Sequence, residues 1–437
     1  MVRDAGLGGK IAYLAVEART GRVIDALNPG FRMPPASVAK AATAYYSLSK
    51  LGAAYRFETV LEATGPVENG QITGDLILRG SGDPGFDSDA MADMIQALKD
   101  QGIHGVKGRF RVDASALPRI REIDPDQPDH VSYNPSVAGL NLNYNRVHFQ
   151  WKKAGKGYDI TLEARALRYS PSVRIARMTL EDRSLPVYTY AQENGVDQWT
   201  VARRMLGNDG ARWLPVRRPV AYCDEVFRTI ARAHGIVLKP GPEASGITGA
   251  PLVVHRSAPL SEMMESMLRY STNLTAEVAG LTATRSSTGQ PSSLLGSARA
   301  MNLWLNREVG ARSSGFVDHS GLGYGARISP QDMVTLMRSA RVAGLLPKIL
   351  KPVNVATKGA AVVGKTGTLN FVSALSGYAE APRTPPIVFA IFTGDLPRRD
   401  AIPVDQRERP PGARGWSRRS RGLQKRLIDR WLALASS

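Results

Sequence analysis

Three short strings in this 437-residue chain hold residue types that could do chemistry together: Ser37-Val38-Ala39-Lys40, Ser271-Thr272-Asn273 and Lys365-Thr366-Gly367-Thr368. A serine hydroxyl is a poor nucleophile unless a base stands within hydrogen-bond reach. On a helix, residues three apart share a face, so Lys40 can aim its amine at the Ser37 hydroxyl. Lysine is protonated at neutral pH. Burial, or a second cation such as Lys365 nearby, would lower its pKa and make it a competent base. Ser271 can relay a proton between Lys40 and a leaving group, and the Asn273 amide can hold a substrate carbonyl while bonding Lys40. Lys365 and the hydroxyls of Thr366 and Thr368 suit a terminal carboxylate. Gly367 lets a substrate come close to a strand edge, with which an extended peptide can pair. In this order the strings equip a serine acyl-transferase for a β-lactam-shaped or D-alanyl-D-alanine-shaped substrate.

The Ser-x-x-Lys spacing alone is weak, because Ser47-Leu48-Ser49-Lys50 repeats it ten residues later. Position separates the two copies. Pro34-Pro35-Ala36 stops extended structure, so Ser37 opens a helix that runs to Leu51 and ends at Gly52. Free backbone N–H groups and the helix dipole there favour a developing oxyanion. Ser47 lies near the other end, where the dipole opposes an anion and no break in the chain exposes the hydroxyl. Ser271-Thr272-Asn273 sits between two helical stretches, and taken alone it could simply cap a helix starting near Leu274.

The elements that must position these residues can be read in outline. Lys10 to Glu17 and Arg22 to Leu27 have the pattern of strands around the turn Arg19-Thr20-Gly21. From about 66 to 250 the texture is short strands and turns, interrupted by a helix from Asp87 to Gln101 with Met91, Met94, Ile95 and Leu98 on one face. After Pro251 helices dominate: Leu260 to Tyr270, Leu294 to Val309, and one opened by Ser329-Pro330-Gln331-Asp332. Strands follow at Ala361 to Val363, Ala374 to Ala379 and Ile387 to Phe392. A final helix sets Leu423, Leu427, Trp431 and Leu434 on one face, a stripe suited to packing on a sheet and also to peripheral membrane contact. The expected fold class is therefore α/β (α+β), helices packed on an antiparallel sheet and interrupted by a large β-rich insertion. The domains expected are 1–65 with 252–437, and an insertion over 66–251 built from two nested parts, about 66–105 with 206–251, and 106–205.

Composition narrows the class further. Hydrophobic residues at 43% and aromatics at 7% are ordinary for a globular protein. There is no apolar run of about 18 residues, the length a transmembrane helix needs. No secretory leader pattern is visible at the start, so either the chain is cytosolic or it is given without its leader. The single cysteine, Cys223, allows no intrachain disulfide and fits a buried helix position. Lys and Arg number 57 against 39 Asp and Glu, a formal charge of +18 that attracts anionic polymers and lipids. Arg398, Arg399, Arg407, Arg409, Arg414, Arg418, Arg419 and Arg421 fall in a Pro-broken segment that fits a solvated tail loop. Only Trp416 interleaves with them, too few aromatics for a nucleic-acid site. The six histidines show no metal-binding spacing, so neither metal nor cofactor is implied.

At these residues the chain resembles the class C low-molecular-mass penicillin-binding proteins, the D-alanyl-D-alanine carboxypeptidase/endopeptidases. Further shared strings are Pro34-Pro35-Ala36-Ser37, Gly74-Asp75-Leu76, Gly80-Ser81-Gly82-Asp83-Pro84, Asn141-Leu142-Asn143-Tyr144-Asn145 and Asp318-His319-Ser320-Gly321-Leu322. The 234 positions between Ser37 and Ser271 also fit that group, which inserts extra domains there. The resemblance implies a β-lactamase/transpeptidase-like catalytic domain and an oxyanion hole made by the backbone N–H groups of Ser37 and Thr368. It also implies peptidoglycan stem peptides as substrate, covalent inhibition by β-lactams, and a periplasmic or extracytoplasmic location. The chain departs from the family after Ser-Gly-Leu. The family often continues with Ser-Arg, whereas here Gly323-Tyr324 follows and the next arginine is Arg327.

Three other readings compete. Gly80-Ser81-Gly82-Asp83-Pro84-Gly85 matches the G-x-G-x-x-G of dinucleotide-binding folds between a strand and a helix, but Asp83, Asp87 and Asp89 crowd the place of a pyrophosphate. A serine β-lactamase, or an inactive wall-binding scaffold, would keep the same fold. No glutamate is assignable as a deacylating base, and His319 beside Ser320 reads as a loop residue. The two Ser-x-x-Lys copies provide a direct test. Labelled penicillin should mark the protein covalently, Ser37→Ala should abolish the mark, and Ser47→Ala should leave it. Labelling that survives in the Ser37 variant removes the assignment.

Overall fold

The computed structural model describes residues 1–290 and 292–436. The chain forms two compact units, Met1–Tyr55 with Pro259–Ser437, and Arg56–Ala258.

The first unit is built on a six-stranded sheet. Its strands are β1 (Lys10–Glu17), β2 (Val23–Leu27), β3 (Lys351–Pro352), β4 (Ala361–Leu369), β5 (Val372–Ala381) and β6 (Thr384–Gly394), in the order β3-β4-β5-β6-β1-β2, antiparallel throughout. The first strand of the chain thus pairs with the last, Lys10 opposite Gly394 and Glu17 opposite Ile387. The longer helices are α1 (Ala39–Leu51), α2 (Leu260–Tyr270), α3 (Asn273–Thr288), α4 (Leu294–Trp304), α5 (Pro330–Val342) and α6 (Ala413–Ser436). Helix α5 is capped as its sequence foretells, the Ser329 hydroxyl accepting from Asp332 N with Pro330 at the first helical position.

One apolar cluster joins the sheet to α6: Tyr13, Ala15, Leu375, Phe389 and Ile391 pack with Trp416, Leu423, Leu427, Ile428, Trp431 and Leu432. Both tryptophans are wholly buried, and each finds an acceptor for its N–H, Leu7 O at 2.6 Å for Trp416 and Asp25 Oδ2 at 2.9 Å for Trp431. Leu423, Leu427 and Trp431 of the apolar stripe of the last helix are therefore occupied by the sheet. Leu434 is the exception and stays exposed. The arginine-rich segment also departs from a tail loop: α6 begins at Ala413, so Arg414, Arg418, Arg419 and Arg421 stand on its exposed side. The burial of Ala413, Trp416 and Ser420 at helical spacing extends the helix upstream of the leucines. No helix among the described residues is long and apolar enough to cross a membrane.

The second unit contains a four-stranded sheet of Glu58–Ala63, Leu76–Gly80, Phe110–Asp113 and Ala250–Arg256, two three-stranded sheets between 146 and 215, and a small one near its start. Its boundaries lie at 55/56 and 258/259, not near 65 and 251. The strand 58–63 is the partner of 250–256, so neither can belong to the catalytic unit. A single apolar cluster runs through this unit from Leu61 to Leu238, with Phe110 and Phe227 stacked 4.6 Å apart inside it.

The glycine-rich string lies in a real strand–helix crossover: Leu76–Gly80 pairs in parallel with Phe110–Asp113, and Ser88–Asp100 is the helix between them. This is the strand–turn–helix context that the string has in the sequence. Its helix start is already filled by carboxylates. Asp87 accepts from Ala90 N, and Asp89 from the backbone of Arg168 and Tyr169. Carboxylates at that helix start repel an anionic ligand.

Trp431 rests on Tyr13 and Phe389, with ring centres 5.5 and 5.9 Å away. Trp431→Ala should lower the unfolding free energy by about 3–5 kcal/mol, read as a shifted midpoint in urea unfolding. A change below about 1 kcal/mol would show that α6 does not anchor the sheet.

Candidate active site

The two prolines before Ser37 shape the start of the site. Residues Ala36–Val38 form one tight 3₁₀ turn that runs into α1, and Ala36 takes φ +48°, a left-handed value that alanine adopts only under constraint. Ser37 is partly exposed while its neighbours from Met33 to Lys40 are buried, so the turn presents one hydroxyl at an otherwise closed surface. Ser47 is fully buried and its hydroxyl has no partner among the described residues, whereas Lys50 points to solvent. The second Ser-x-x-Lys is therefore a piece of core.

Lys40 is entirely buried. Its Nζ donates to Ser37 Oγ at 3.1 Å, Asn273 Oδ1 at 2.6 Å and Ser320 O at 2.7 Å. Two of these acceptors are carbonyl oxygens and can only accept. When the ammonium loses a proton, the two remaining N–H groups stay on the carbonyls and the lone pair faces Ser37. The arrangement thus selects the hydroxyl as the group from which the amine takes a proton. Burial pushes the Lys40 pKa down to about 8, opposed by the charges of Glu277 and Asp318. Lys365 stands at the same site, and burial first and the charge of Lys40 next push its own pKa down to about 6.

Ser271 ends α2 in a left-handed conformation, φ +61°, and Asn273 is the first residue of α3. That sharp reversal brings the Ser271 hydroxyl to Lys365 Nζ, 3.0 Å away, and Asn273 to Lys40. Lys365 lies inside β4, with four residues of strand before it. Strand β3 covers β4 only at Val363 and Gly364, so from Lys365 onward the outer edge of β4 has no strand partner among the described residues. That edge faces the Ser37 turn. A methyl group on Gly367 would stand 3.1 Å from Ser37 N and 2.5 Å from Pro35 O, so only glycine permits this approach. Thr366 is half-buried and Thr368 exposed beside it. A carboxylate brought to this edge would restore the proton that burial drives off Lys365. All eight residues expected at the site, Ser37, Lys40, Ser271, Asn273, Lys365, Thr366, Gly367 and Thr368, thus lie in the first unit on three converging segments.

Sequence reasoning missed Glu277. It sits one turn along α3 from Asn273, is entirely buried, and accepts from the backbone N–H of His319 and Ser320, each at 2.9 Å. Its only signal in the sequence is that it is the lone acid in the otherwise uncharged run Leu274 to Thr284. Asp318 folds the same loop by accepting from Gly321 and Gly323 N, both at 2.6 Å. His319 is not a base. Its ring is buried, which lowers its pKa to about 3, and Nε2 is engaged with Ser297 Oγ at 2.7 Å. Gly280 leaves room for that ring. Arg327 is tied down locally, donating to Tyr324 O and Ala326 O with its guanidinium over the Tyr324 ring.

The family model for the D-Ala-D-Ala carboxypeptidase 3 (S13) family matches residues 1–409. The chain belongs to that family. It is 24% identical over 431 residues to the D-alanyl-D-alanine carboxypeptidase DacB of Haemophilus influenzae, covering 89% of this chain and 87% of that protein. It is 25% identical over 429 residues to the D-alanyl-D-alanine carboxypeptidase of an Actinomadura strain, covering 87% and 77%. The fold is similar to the crystal structure of penicillin-binding protein 4 (dacB) from Haemophilus influenzae, with a TM-score of 0.79, 20% identity, and 98% and 99% of the two chains covered. The penicillin-binding, serine-type carboxypeptidase class and the transpeptidase-like α/β fold with its insertion are thereby borne out.

With Lys40 as the base for Ser37, acylation by a chromogenic β-lactam should rise as pH passes upward through about 8, because only the deprotonated amine can accept the proton. Lys40→Met should lower the acylation rate by about 10²–10⁴-fold at every pH. Stopped-flow rates between pH 6 and 10 check both, and a flat profile in the unaltered enzyme would remove the amine from this role.

Proposed function

We propose that this protein trims peptidoglycan stem peptides as a D-Ala-D-Ala carboxypeptidase through an acyl-enzyme on Ser37, outside the cytoplasm. The observation that carries the reading is the buried Lys40 amine, whose two carbonyl acceptors leave Ser37 as the only hydroxyl for its lone pair. Ser37 Oγ attacks the carbonyl carbon between two D-alanines and its proton passes to Lys40. Backbone N–H groups of Ser37 and Thr368 hold the oxyanion, supported by the close approach of β4 to the Ser37 turn at Gly367. The substrate lies along the free edge of β4 as an added strand, its terminal carboxylate on Lys365, Thr366 and Thr368. Asn273 orients the substrate carbonyl. As the C–N bond breaks, the Ser271 hydroxyl gives its proton to the departing D-alanine nitrogen and takes one from the Lys365 ammonium bonded to it. The proton that Lys40 gained from Ser37 balances the one Lys365 gives up. Water then cleaves the ester and regenerates Ser37.

A cross-linked stem peptide presents the same D-alanyl carbonyl with a longer amine side, so endopeptidase cleavage follows the same steps. β-Lactams imitate the substrate and acylate Ser37. The Haemophilus penicillin-binding protein 4 is known in complex with one, in a structure that shares this fold with a TM-score of 0.74. Wall peptides lie beyond the cytoplasmic membrane, which supports an extracytoplasmic site of action.

Mass spectrometry of purified muropeptides before and after incubation tests the activity. Pentapeptide species should lose one alanine, and cross-linked dimers should fall to monomers if endopeptidase cleavage operates. Unchanged pentapeptides and dimers, with enzyme that still binds penicillin, would sink the hydrolytic reading.

A further inference from the structure

Lys40 is surrounded by more than its three hydrogen-bond acceptors. From α3 it faces Asn273 and the carboxylate of Glu277, and from the loop after Phe316 it faces Asp318 and the Ser320 carbonyl. His319, uncharged by burial, lies on the same loop, and Lys365 faces it from β4. The mechanism above uses Asn273 and Lys365 and leaves two buried carboxylates without a task.

Their geometry is specific. Both oxygens of Glu277 are spent on successive N–H groups of one peptide segment, His319 and Ser320. The carbonyl of that same Ser320 is the one that accepts from Lys40. Asp318 likewise spends one oxygen on Gly321 N and the other on Gly323 N, which folds the chain around Ser320. The turn can fold this tightly because Gly321, at φ +74°, has no side chain to strike the Ala36 carbonyl. On its far side the loop is pinned by Thr43, whose hydroxyl donates to His319 O at 2.6 Å. A carboxylate on α3 therefore dictates where a carbonyl points at the base on α1. Burial and the charge of Asp318 raise the pKa of Glu277 well above the usual carboxylate range, opposed by its two N–H donors and by Lys40. Its negative charge, once formed, lies near the amine that must lose a proton.

Resting on the proposed role of Lys40 as base, we infer that Glu277, seconded by Asp318, is a positioning residue. It aims the Ser320 carbonyl at Lys40, and its charge sets the pH range in which Lys40 can deprotonate Ser37. The charge acts against the base: a nearby anion favours the ammonium, while burial disfavours it. The site is thus a compromise in which the amine is kept charged enough to be held and neutral enough to act.

The test is the pH dependence of β-lactam acylation in the full chain. Glu277→Gln removes the charge but keeps nearly the same shape, and Asp318→Asn does so from the other side. Each should move the acidic limb of the acylation profile to lower pH, by about 1 unit for loss of a close charge. Glu277→Asp, which keeps the charge, should leave the limb near its original position even if the rate falls. Ser297→Ala disturbs the partner of His319 without removing charge and should also leave the limb in place. If only one of the two neutralised variants folds, that one decides. A limb that stays put in a folded neutralised variant, or that shifts equally in Ser297→Ala, overturns the inference and reduces both carboxylates to loop supports. Failure of the underlying reading looks different: the unaltered enzyme would then show no limb near pH 8, or would be labelled as fast without Ser37 as with it.

Discussion

An amine kept wholly out of water is the constraint on which the rest of the catalytic unit depends. Burying an ammonium is costly unless every proton finds an acceptor. Here three acceptors meet Lys40, from the turn that opens α1, from the start of α3 and from the loop holding Ser320. Each must arrive at the right place, and each arrival is bought with an unusual piece of backbone. Ala36 and Ser271 take left-handed conformations, while Gly321 turns where a side chain would collide with the Ala36 carbonyl. Such strained positions persist only when the surrounding packing determines them, and here that packing is the buried α1, nearly every residue of which is out of solvent.

The second requirement is a strand edge left open beside the nucleophile. A sheet edge normally invites unwanted pairing, yet β3 protects only the first part of β4. The stretch from Lys365 to Leu369 is kept from a neighbouring strand by the Ser37 turn itself, which approaches at Gly367. The same closeness that lets a peptide reach Ser37 therefore also guards the edge when no peptide is present. Lys365 within this stretch is buried, and burial lowers its pKa, so the charge that greets a carboxylate is strengthened by the carboxylate's own arrival.

The insertion enters the chain between α1 and α2, so none of the segments that carry the site residues is interrupted by it. Its own sheet begins at Glu58 and closes with Ala250–Arg256, so the chain leaves and returns along two paired strands. Within it the Asn141–Asn145 string forms a turn of three successive left-handed residues, Asn143, Tyr144 and Asn145. Asparagine tolerates that conformation because its amide replaces lost backbone bonds, as Asn145 does on Ser136 O.

Taken by itself, the order of residues determined which groups could react. Ser37 and Lys40 are three apart on one helix, proline marks the helix start, and glycine follows Lys365 and Thr366. These are local facts, set by helical spacing and by the conformations that proline and glycine allow. The strands β1, β5 and β6 were legible for the same reason, as short apolar runs between turn residues. Only the tertiary structure decided what was non-local. It put Ser47 in the core and Ser37 at the surface, although their motifs are alike, because exposure depends on what packs above a helix. It extended α6 through arginines that looked like a tail, since Ala413 and Trp416 had a sheet to cover. It also gave Glu277 its place: a lone acid in a buried helix is uninterpretable until the two N–H groups that donate to it are seen to come from a loop some forty residues further along the chain.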